Sequence, residues 1–237
     1  MAKPFGSNLL NWLREFFPAK EALPLIPKYQ WQNVHFVVGQ GDERKTLSLV
    51  DFEKMFSISY IPYLSFQKFS YFSSCFRKTS RYDRKGLLDY EQRWLGVYFK
   101  KEILSAEIPL VSLSWINSVA GWGVFAERDF KQMDFIGEYV GVVRKKRKKD
   151  RTNSYCFEYA VAKGESTRFI IDAEKQGNIT RFLNHSPKPN LSSTIAVVHR
   201  IPRVIFYARR PIKKGEQLYY DYGPDYWKRR SRPQEFD

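Results

Sequence analysis

The chain has 237 residues, 43% of them hydrophobic and 17% aromatic, which disfavours global disorder, and no run of about 18 apolar residues predicts a membrane span. Forty basic against 25 acidic residues give a net charge of +15, which favours an anionic partner such as nucleic acid, an acidic protein or a membrane surface over solubility alone. Two cysteines, Cys75 and Cys156, are too few for a cysteine-rich zinc cluster or a disulfide framework, so we expect no metal and a reducing, intracellular compartment.

Residues 1–108 are predicted to form a mixed, mostly helical N-terminal region whose role the sequence leaves open. Ser7 can cap a short amphipathic helix that ends at Pro18, which we interpret as part of the fold rather than as a membrane-surface helix. Further along, the pattern predicts a strand at 34–38 and helices at 48–56 and 87–101. In the last helix the spacing places four side chains on one stripe: Leu88, Trp94, Leu95 and Tyr98.

The block at 60–82 is rich in Phe, Tyr, Ser, Arg and Lys. Such a composition can form a surface for nucleic acid or for another partner. An aromatic core with a solvated face is the commoner arrangement, and we favour it for this block.

From residue 109 to residue 223 short β segments with glycine turns predominate, and one short helix is predicted at 177–183. The basic run at 144–151 is typical of a solvated loop, and less often of a nuclear-targeting or phosphate-binding patch. Residues 224–237 form a short basic tail. Strands are predicted at 111–115, 123–126, 135–143, 155–161, 169–172, 193–198, 204–209 and 217–220.

Three motifs carry the functional information. The first is GWGVFA at 121–126, followed by FIGEYVG at 135–141; the second is GNITRFLNHS at 177–186, and the third is GEQLYYDYG at 215–223. The paired glycines of the first motif let the backbone approach a ligand closely, although the third glycine of a dinucleotide-binding fingerprint is missing. In this order and at this spacing the motifs resemble the SET domain, the fold of most protein lysine methyltransferases.

The resemblance covers residues 109–223 and implies a mainly β SET fold preceded by the mostly helical region. In this family small curled sheets surround a C-terminal segment that threads under a preceding loop, which forms a pseudo-knot. Threaded connections are rare in proteins. Here the arrangement is implied to place Asn184 beside Tyr222 despite their separation in the chain.

The resemblance also implies a cofactor, S-adenosylmethionine. In the family the main chain of the first motif lines the cofactor pocket, which corresponds here to Gly121, Trp122 and Gly123. Asn184 and His185 are implied to contact the cofactor, and two further residues of the second motif are implied to lie nearby, Arg181 and Phe182. We expect His185 to serve in binding and packing rather than in proton transfer, as it does in family members.

The third motif is implied to carry catalysis. Lysine, with a pKa of about 10.4, must lose a proton before it is methylated, and a narrow channel lined by tyrosines desolvates the ammonium and lowers its pKa. By resemblance, Tyr222 is the main catalytic tyrosine and Tyr155 is a second wall of the channel. Tyr220 stands where the family carries Phe or Tyr, and a Tyr there usually leaves room for one methyl group. We therefore expect mono-methylation, with di-methylation as the alternative.

The chain departs from the family at two places. The family's usual residue after Asn-His-Ser is a cysteine that binds zinc together with a cysteine-rich tail, but here it is Pro187, and residues 224–237 contain no cysteine. Both departures predict that the flanking zinc clusters are missing. Tyr226 and Trp227 are candidates for a lid that closes the site instead, with simple anchoring of this segment as the alternative. The compact form resembles stand-alone SET proteins of some bacteria that live inside eukaryotic cells, which is compatible with a secreted effector.

These inferences predict a protein-lysine N-methyltransferase that acts on a histone, a histone-like protein or another basic protein such as a ribosomal one. A positive enzyme does not attract a positive tail, so docking through nucleic acid is favoured over direct charge attraction. Two alternatives stay open: an inactive SET-fold module that binds chromatin or nucleic acid, and a methyltransferase of a non-histone soluble protein. The presence of Tyr222, Asn184 and Tyr155 argues against the inactive module.

Overall fold

The computed structural model describes residues 34–40, 43–106, 108–162 and 164–227. The helix predicted after Ser7 and the segment 228–237 of the predicted tail lie outside the described residues. The helices are α1 (Leu49–Phe56), α2 (Phe69–Arg84), α3 (Tyr90–Tyr98), α4 (Lys100–Ser105) and α5 (Pro224–Trp227), with 3-10 helices at Lys148–Arg151 and Ile179–Phe182. The strands are β1 (His35–Gln40), β2 (Glu43–Ser48), β3 (Ser59–Tyr60), β4 (Ser65–Phe66), β5 (Val111–Asn117), β6 (Gly121–Ala126), β7 (Phe135–Glu138), β8 (Val142–Lys145), β9 (Cys156–Glu158), β10 (Phe169–Asp172), β11 (Gln176–Gly177), β12 (Asn184–His185), β13 (Leu191–Val198), β14 (Ile201–Ala208) and β15 (Tyr219–Tyr220).

The strands form small sheets, which confirms the predicted mainly β fold. The strand orders of the three larger sheets are β2-β1-β5-β6, β4-β8-β10-β9 and β13-β14-β7, and two pairs complete the arrangement, β11-β3 and β12-β15. Most neighbours are antiparallel, as expected for short strands that are joined by tight turns.

Strands that precede residue 109 complete the sheets of the later region. β1 pairs in parallel with β5, β3 with β11, and β4 with β8. The proposed division at residue 108 therefore reflects a change in sequence pattern, while three sheets contain strands from both sides of it. The same core cluster likewise contains residues from both sides, such as Phe52, Phe72 and Phe206.

α2 occupies most of the block at 60–82, where the sequence pattern did not predict a helix. Phe72, Cys75 and Thr79 face the core at helical spacing, while Ser, Arg and Lys side chains cover the other sides. The predicted aromatic core with a solvated face agrees with this arrangement.

The single helix predicted at 87–101 is two helices in the structure. The Asp89 side chain caps α3 and forms a capping box with Gln92, and the helix axis breaks at Phe99, where α4 begins. The predicted stripe is wrong in part. Leu88 and Leu95 are buried, but Trp94 and Tyr98 are 41% and 53% exposed, because Leu95, Gly96 and Phe99 form the face that packs on the sheet.

Two further elements differ from the predicted bounds. The strand predicted at 135–143 is divided into β7 and β8 by a bend at residues 139–141, and the strand predicted at 155–161 is reduced to β9. The short helix predicted at 177–183 is present as the 3-10 helix Ile179–Phe182, which the Asn178 side chain caps through a hydrogen bond from the Thr180 N–H.

Two buried arginines, Arg203 and Arg144, form ion pairs in the interior of the later region. The Arg203 guanidinium lies 3.2 Å from the Glu138 carboxylate, and both side chains are buried between β14 and β7. Arg144, the first residue of the basic run at 144–151, pairs with Asp150 at 2.6 Å and with Asp172 at 2.7 Å. The interpretation of this run as a solvated loop is thus wrong for Arg144, because Asp150 of the same run and the distant Asp172 neutralise its charge inside the fold.

Candidate active site

The second and third motifs meet through a short parallel pairing of β12 with β15. Asn184 pairs with Tyr219 and His185 with Tyr220. Asn190 holds the same junction from the side: its amide nitrogen donates to the Gln217 carbonyl at 2.8 Å, and its amide oxygen accepts from the Tyr219 N–H at 2.8 Å. The predicted proximity of Asn184 and the Tyr222 segment is therefore present in the structure.

Tyr222 is fixed at both its backbone and its side chain. Its hydroxyl donates to the Leu183 carbonyl at 2.8 Å, and its backbone N–H donates to Nδ1 of His185 at 3.1 Å. Because Nδ1 accepts this hydrogen bond, we assign the imidazole proton to Nε2. His185 is buried, so it acts here as a rigid support for the Tyr222 backbone.

Aromatic side chains surround Tyr222. The ring centroids of Tyr220 and Tyr226 lie 4.7 Å and 4.5 Å from that of Tyr222, and the Trp227 ring is stacked at 6.1 Å. Trp227 also contacts His185 at 5.0 Å. The short helix α5 thus places both of its aromatic residues against the tyrosine cluster, where the predicted lid would lie.

Tyr220 and Tyr222 are neutral at physiological pH. Burial raises the pKa of Tyr220 well above 10, and the neighbouring Tyr139 and Tyr226 add to this. Tyr222 borders a cavity and is half-buried, yet desolvation by the surrounding protein, together with Tyr220 and Tyr226, raises its pKa well above 10 as well. Their hydroxyls can therefore donate and accept hydrogen bonds but cannot act as phenolate bases.

Tyr155 is held by a cation and by a neighbouring tyrosine. The Arg181 guanidinium lies 3.8 Å from the centroid of the Tyr155 ring and donates to the Ala173 carbonyl at 2.9 Å. The hydroxyl of Tyr139 donates to the Tyr155 carbonyl at 2.9 Å. Arg181, which was predicted to lie near a cofactor, is thus placed on the tyrosine side of the site.

Sequence reasoning missed three aromatic residues of the cluster around Tyr220: Tyr139, Phe157 and Phe206. Phe206 lies 4.8 Å and Phe157 6.2 Å from the Tyr220 ring, and Tyr139 contacts both phenylalanines. Tyr139 lies in the FIGEYVG segment and Phe157 follows Tyr155 closely, so the motifs pointed to their neighbourhood. Phe206 comes from a core strand with no distinguishing signal.

The first motif contacts the second through Asn184, whose amide nitrogen donates to the Trp122 carbonyl at 3.2 Å. Gly121 has a positive φ of 70°, which starts the turn into β6. Gly123 has no room for a side chain, because the Gln217 amide and Ile116 occupy the space that a Cβ would need. A larger residue at this position would have to displace the ends of these two flexible side chains.

Phe182 points away from the tyrosines and into the core beneath the first motif. Its ring lies 4.8 Å from Phe56, which in turn lies 5.3 Å from Trp122. The structure therefore places Phe182 under the GWG loop, supporting it through Phe56, and buries 94% of its surface.

A cavity of about 450 Å³ opens beside the tyrosine cluster. Its aromatic wall includes Tyr139, Phe157, Tyr220, Tyr222 and Tyr226, and the rest of its lining comes from residues 146–158 and from Ile170, Gly223 and Pro224. Within the described ranges three or more His, Cys, Asp or Glu side chains nowhere converge as a metal-binding group would require. In the same ranges no helix has the length and apolarity needed to cross a bilayer.

A protein-family model that describes the SET domain matches residues 121–223. This segment is a SET domain. The match contains all three motifs, the paired strands β12 and β15, and the tyrosine cluster up to Gly223.

The chain has curated relatives that are much longer than it is. It is 33% identical over 128 residues to histone-lysine N-methyltransferase Su(var)3-9 from Drosophila melanogaster, with 49% of this chain and 20% of that protein covered. It is 38% identical over 113 residues to histone-lysine N-methyltransferase EHMT1 from Homo sapiens, with 45% of this chain and 9% of that protein covered. The similarity thus spans a fifth or less of each relative.

Two solved structures align with about half of the chain. One is ctPRC2 in an autoinhibited conformation bound to S-adenosylmethionine, with 26% identity, a TM-score of 0.45, and 51% of this chain and 16% of that chain covered. The other is KRYPTONITE in complex with mCHH DNA, H3(1-15) peptide and SAH, with 32% identity and a TM-score of 0.41. The alignment covers 48% of this chain and 23% of that chain.

Proposed function

We propose that the protein is an S-adenosylmethionine-dependent protein lysine N-methyltransferase. The SET domain at 121–223 and two curated relatives named as histone-lysine N-methyltransferases support this assignment. The observation that carries it is the position of Tyr222, a neutral tyrosine that is held at its hydroxyl and its backbone beside an aromatic cavity and next to Asn184.

The residues of the first two motifs fit a polar, cationic cofactor. The side-chain amide of Asn184 and the main chain of Gly121 to Gly123 lie side by side, and amide and carbonyl groups suit the amino-acid part of the cofactor. When bound, S-adenosylmethionine supplies an electrophilic methyl group on a sulfonium. The nearby aromatic rings favour such a positive charge electrostatically.

The tyrosine cavity is suited to hold the target lysine. Desolvation among aromatic rings disfavours the ammonium form and so promotes the neutral amine that can accept a methyl group. The neutral hydroxyls of Tyr220 and Tyr222 and nearby main-chain carbonyls can orient the amine, because these groups are already fixed before the substrate enters. The Tyr155 ring, against which the Arg181 guanidinium stacks, is part of the same rigid aromatic site.

Tyr220 limits the number of methyl groups in this proposal. The ring is packed between Phe206, Phe157 and Tyr222, so its hydroxyl occupies a defined place in the cavity wall. We expect room for one methyl group and, less readily, for two. Tyr226 and Trp227 of α5 serve as the lid that excludes water from the channel.

The proposed substrate is a histone, a histone-like protein or another basic protein. To test the proposal, the purified chain is incubated with methyl-labelled S-adenosylmethionine and a panel of core histones, bacterial histone-like proteins and ribosomal proteins. Tyr222→Phe removes the hydroxyl that binds the Leu183 carbonyl, and we expect it to reduce transfer at least about 100-fold. The matched control is Tyr207→Phe, which removes a hydroxyl outside the cavity, and it should retain activity.

Calorimetry with S-adenosylmethionine distinguishes the alternatives. Cofactor binding without transfer to any member of the panel would favour the inactive module that binds chromatin or nucleic acid. Absence of cofactor binding would overturn the proposed function. Transfer to soluble non-histone proteins alone would reassign the substrate class.

A further inference from the structure

A row of arginines lies on the outer side of α2, far from the three motifs in sequence. Arg77, Arg81 and Arg84 follow the i, i+4, i+7 spacing that places side chains on one helix face, and all three are exposed. Seven residues of helix extend about 10 Å, so the three guanidinium groups form a short linear array. The apolar residues of the same helix, Phe72 and Cys75, are buried on the opposite side.

This array forms one wall of a groove. Arg200 closes it from the turn between β13 and β14, where it adopts a positive φ of 64°. The groove has a volume of about 790 Å³, and five basic residues and one acidic residue, Asp83, are among those that line it. Its lining is Ser74, Phe76, Arg77, Lys78, Ser80, Arg81, Asp83, Arg84 and Arg200.

The charges of the groove are largely uncompensated. Lys78 pairs with Glu165, but among the described residues the guanidinium groups of Arg77, Arg81, Arg84 and Arg200 form no ion pair. Some arginines outside the groove are neutralised, as Arg144 is by Asp150 and Asp172. Like charges that are held together without counterions raise the energy of the free protein, and an anionic partner would relieve this repulsion.

Aromatic rings support two of these guanidinium groups. Arg200 lies 5.7 Å from the Phe76 ring centroid, and Arg81 lies 5.9 Å from that of Tyr82. Such contacts reduce the freedom of a long side chain while leaving its N–H groups available. The groove is therefore partly organised before any partner arrives.

We propose that this groove, formed by α2 and Arg200, binds the sugar–phosphate backbone of nucleic acid. A duplex carries about one negative charge per 1.7 Å of axis, so a 10 Å row of guanidinium groups meets several phosphates at once. Arginine is suited to phosphate because its planar fork donates two parallel hydrogen bonds. Nothing in the groove presents a recognition helix to base edges, so binding is independent of sequence.

A membrane surface fits the groove less well. Helices that bind lipid surfaces place an apolar face in the bilayer, whereas the apolar face of α2 is covered by the core. An acidic protein surface could supply carboxylates, but it lacks the regular charge density that suits a linear array. These two partners are therefore outcomes of the test and not part of the proposal.

The groove is connected to the tyrosine cavity. Lys78 lines the groove and pairs with Glu165, which lines a neighbouring cleft of about 740 Å³. Phe157 and Glu158 line both that cleft and the tyrosine cavity. If the proposed function holds, nucleic acid in the groove would bring a bound basic protein close to the catalytic cavity, despite the net charge of +15.

The test compares two variants of the full chain that each lose four positive charges. The groove variant carries Arg77→Ala, Arg81→Ala, Arg84→Ala and Arg200→Ala, and the control variant carries Lys131→Ala, Lys175→Ala, Lys188→Ala and Arg209→Ala, all at exposed positions. Fluorescence anisotropy measures binding to labelled 20-base-pair duplexes of DNA and of RNA between about 50 and 200 mM salt. Circular dichroism checks that both variants are folded.

We expect the groove variant to bind at least about tenfold more weakly at 100 mM salt, with the slope of log K against log salt smaller by about one for each lost arginine. The control variant should stay within about threefold of the wild type. Equal losses in both variants would show only a diffuse charge effect and overturn the proposal, as would an unaffected groove variant.

Binding measurements with other anionic ligands distinguish nucleic acid from a membrane surface and from an acidic protein. Equal loss on DNA and RNA is expected, because the backbone is shared. If phosphatidylserine vesicles or polyglutamate bind through the four arginines while the duplexes do not, the nucleic-acid assignment is wrong. Since no step depends on methyl transfer, failure of this proposal and failure of the proposed function are observed separately.

Discussion

Tyr220 is held between two aromatic rings, with Phe206 at 4.8 Å and Tyr222 at 4.7 Å between ring centroids. Replacement by Phe keeps the ring and its packing but removes the hydroxyl from the cavity wall. Under the proposed function we predict that Tyr220→Phe converts a mono-methylating enzyme into one that yields di- and trimethyllysine. Mass spectrometry of a substrate peptide at full conversion measures the distribution.

The comparison for this substitution is Tyr219→Phe, which removes the neighbouring hydroxyl that donates to Gln217 outside the cavity. It should leave the distribution unchanged. Trimethyllysine from the wild-type protein on a good substrate, or an unchanged distribution with Tyr220→Phe, would contradict the assignment of Tyr220.

At the scale of elements, helix α3 packs on β13 with almost no space between the backbones. A Cβ on Gly96 would lie far inside van der Waals contact with the carbonyl oxygen of Val197. Alanine is the better helix former by about 1 kcal/mol, so propensity alone predicts a gain for Gly96→Ala. Because backbone must move to admit the methyl group, we predict a net loss of about 1–3 kcal/mol in the free energy of unfolding.

Chemical denaturation monitored by circular dichroism measures this loss. Arg93→Ala, an exposed position of the same helix, is the reference and should change the stability by less than about 0.5 kcal/mol. A more stable Gly96→Ala variant would mean that α3 and β13 are not in backbone contact.

At the scale of the whole molecule, buried thiol and phenol groups make stability depend on alkaline pH. Burial raises the pKa of Cys75 to about 12, and burial also raises the pKa values of Tyr139 and Tyr159 well above 10. The folded chain therefore retains protons that the unfolded chain loses from about pH 9 upward. The free energy of unfolding should be insensitive to these groups below pH 9 and should fall as the pH rises above it.

Urea denaturation at a series of pH values between 7 and 10.5 tests this prediction. Cys75→Ala should lower stability by a constant amount below about pH 9, and its decline at higher pH should be less steep, so that the difference from the wild type shrinks as the pH rises. A decline of the same steepness in the variant would exclude Cys75 as a source of it.

The motifs predicted that the segments around Asn184 and Tyr222 meet, because these short strings carry the constraints of a junction assembled from adjacent backbone. They predicted less of what surrounds it. Phe206 looks like any core residue of a strand, and the pairing of Arg144 with Asp172 joins positions that share no local pattern. Composition alone does not reveal α2, whose inward residues Phe72, Cys75 and Thr79 are recognised only by their helical spacing.

The pairing of strands before residue 109 with strands after it also could not be predicted from local sequence patterns. Parallel pairing of β1 with β5 depends on residues about 75 positions apart, for example Val37 and Ser112, and strand patterns do not reveal partners at that distance. Regions that differ in composition can therefore share sheets.

The parallel pair β12–β15 has a consequence for the order of folding. Asn184 and Tyr219 meet only after the intervening 34 residues have formed a closed loop, whereas the hairpin of β13 and β14 inside that loop is purely local. Contacts of low sequence separation form first, since they cost less chain entropy. A nascent chain thus acquires its hydrophobic centre before its tyrosine cluster. Under the proposed function, the chain would become competent only once the segment with Tyr219 and Tyr220 has paired with β12.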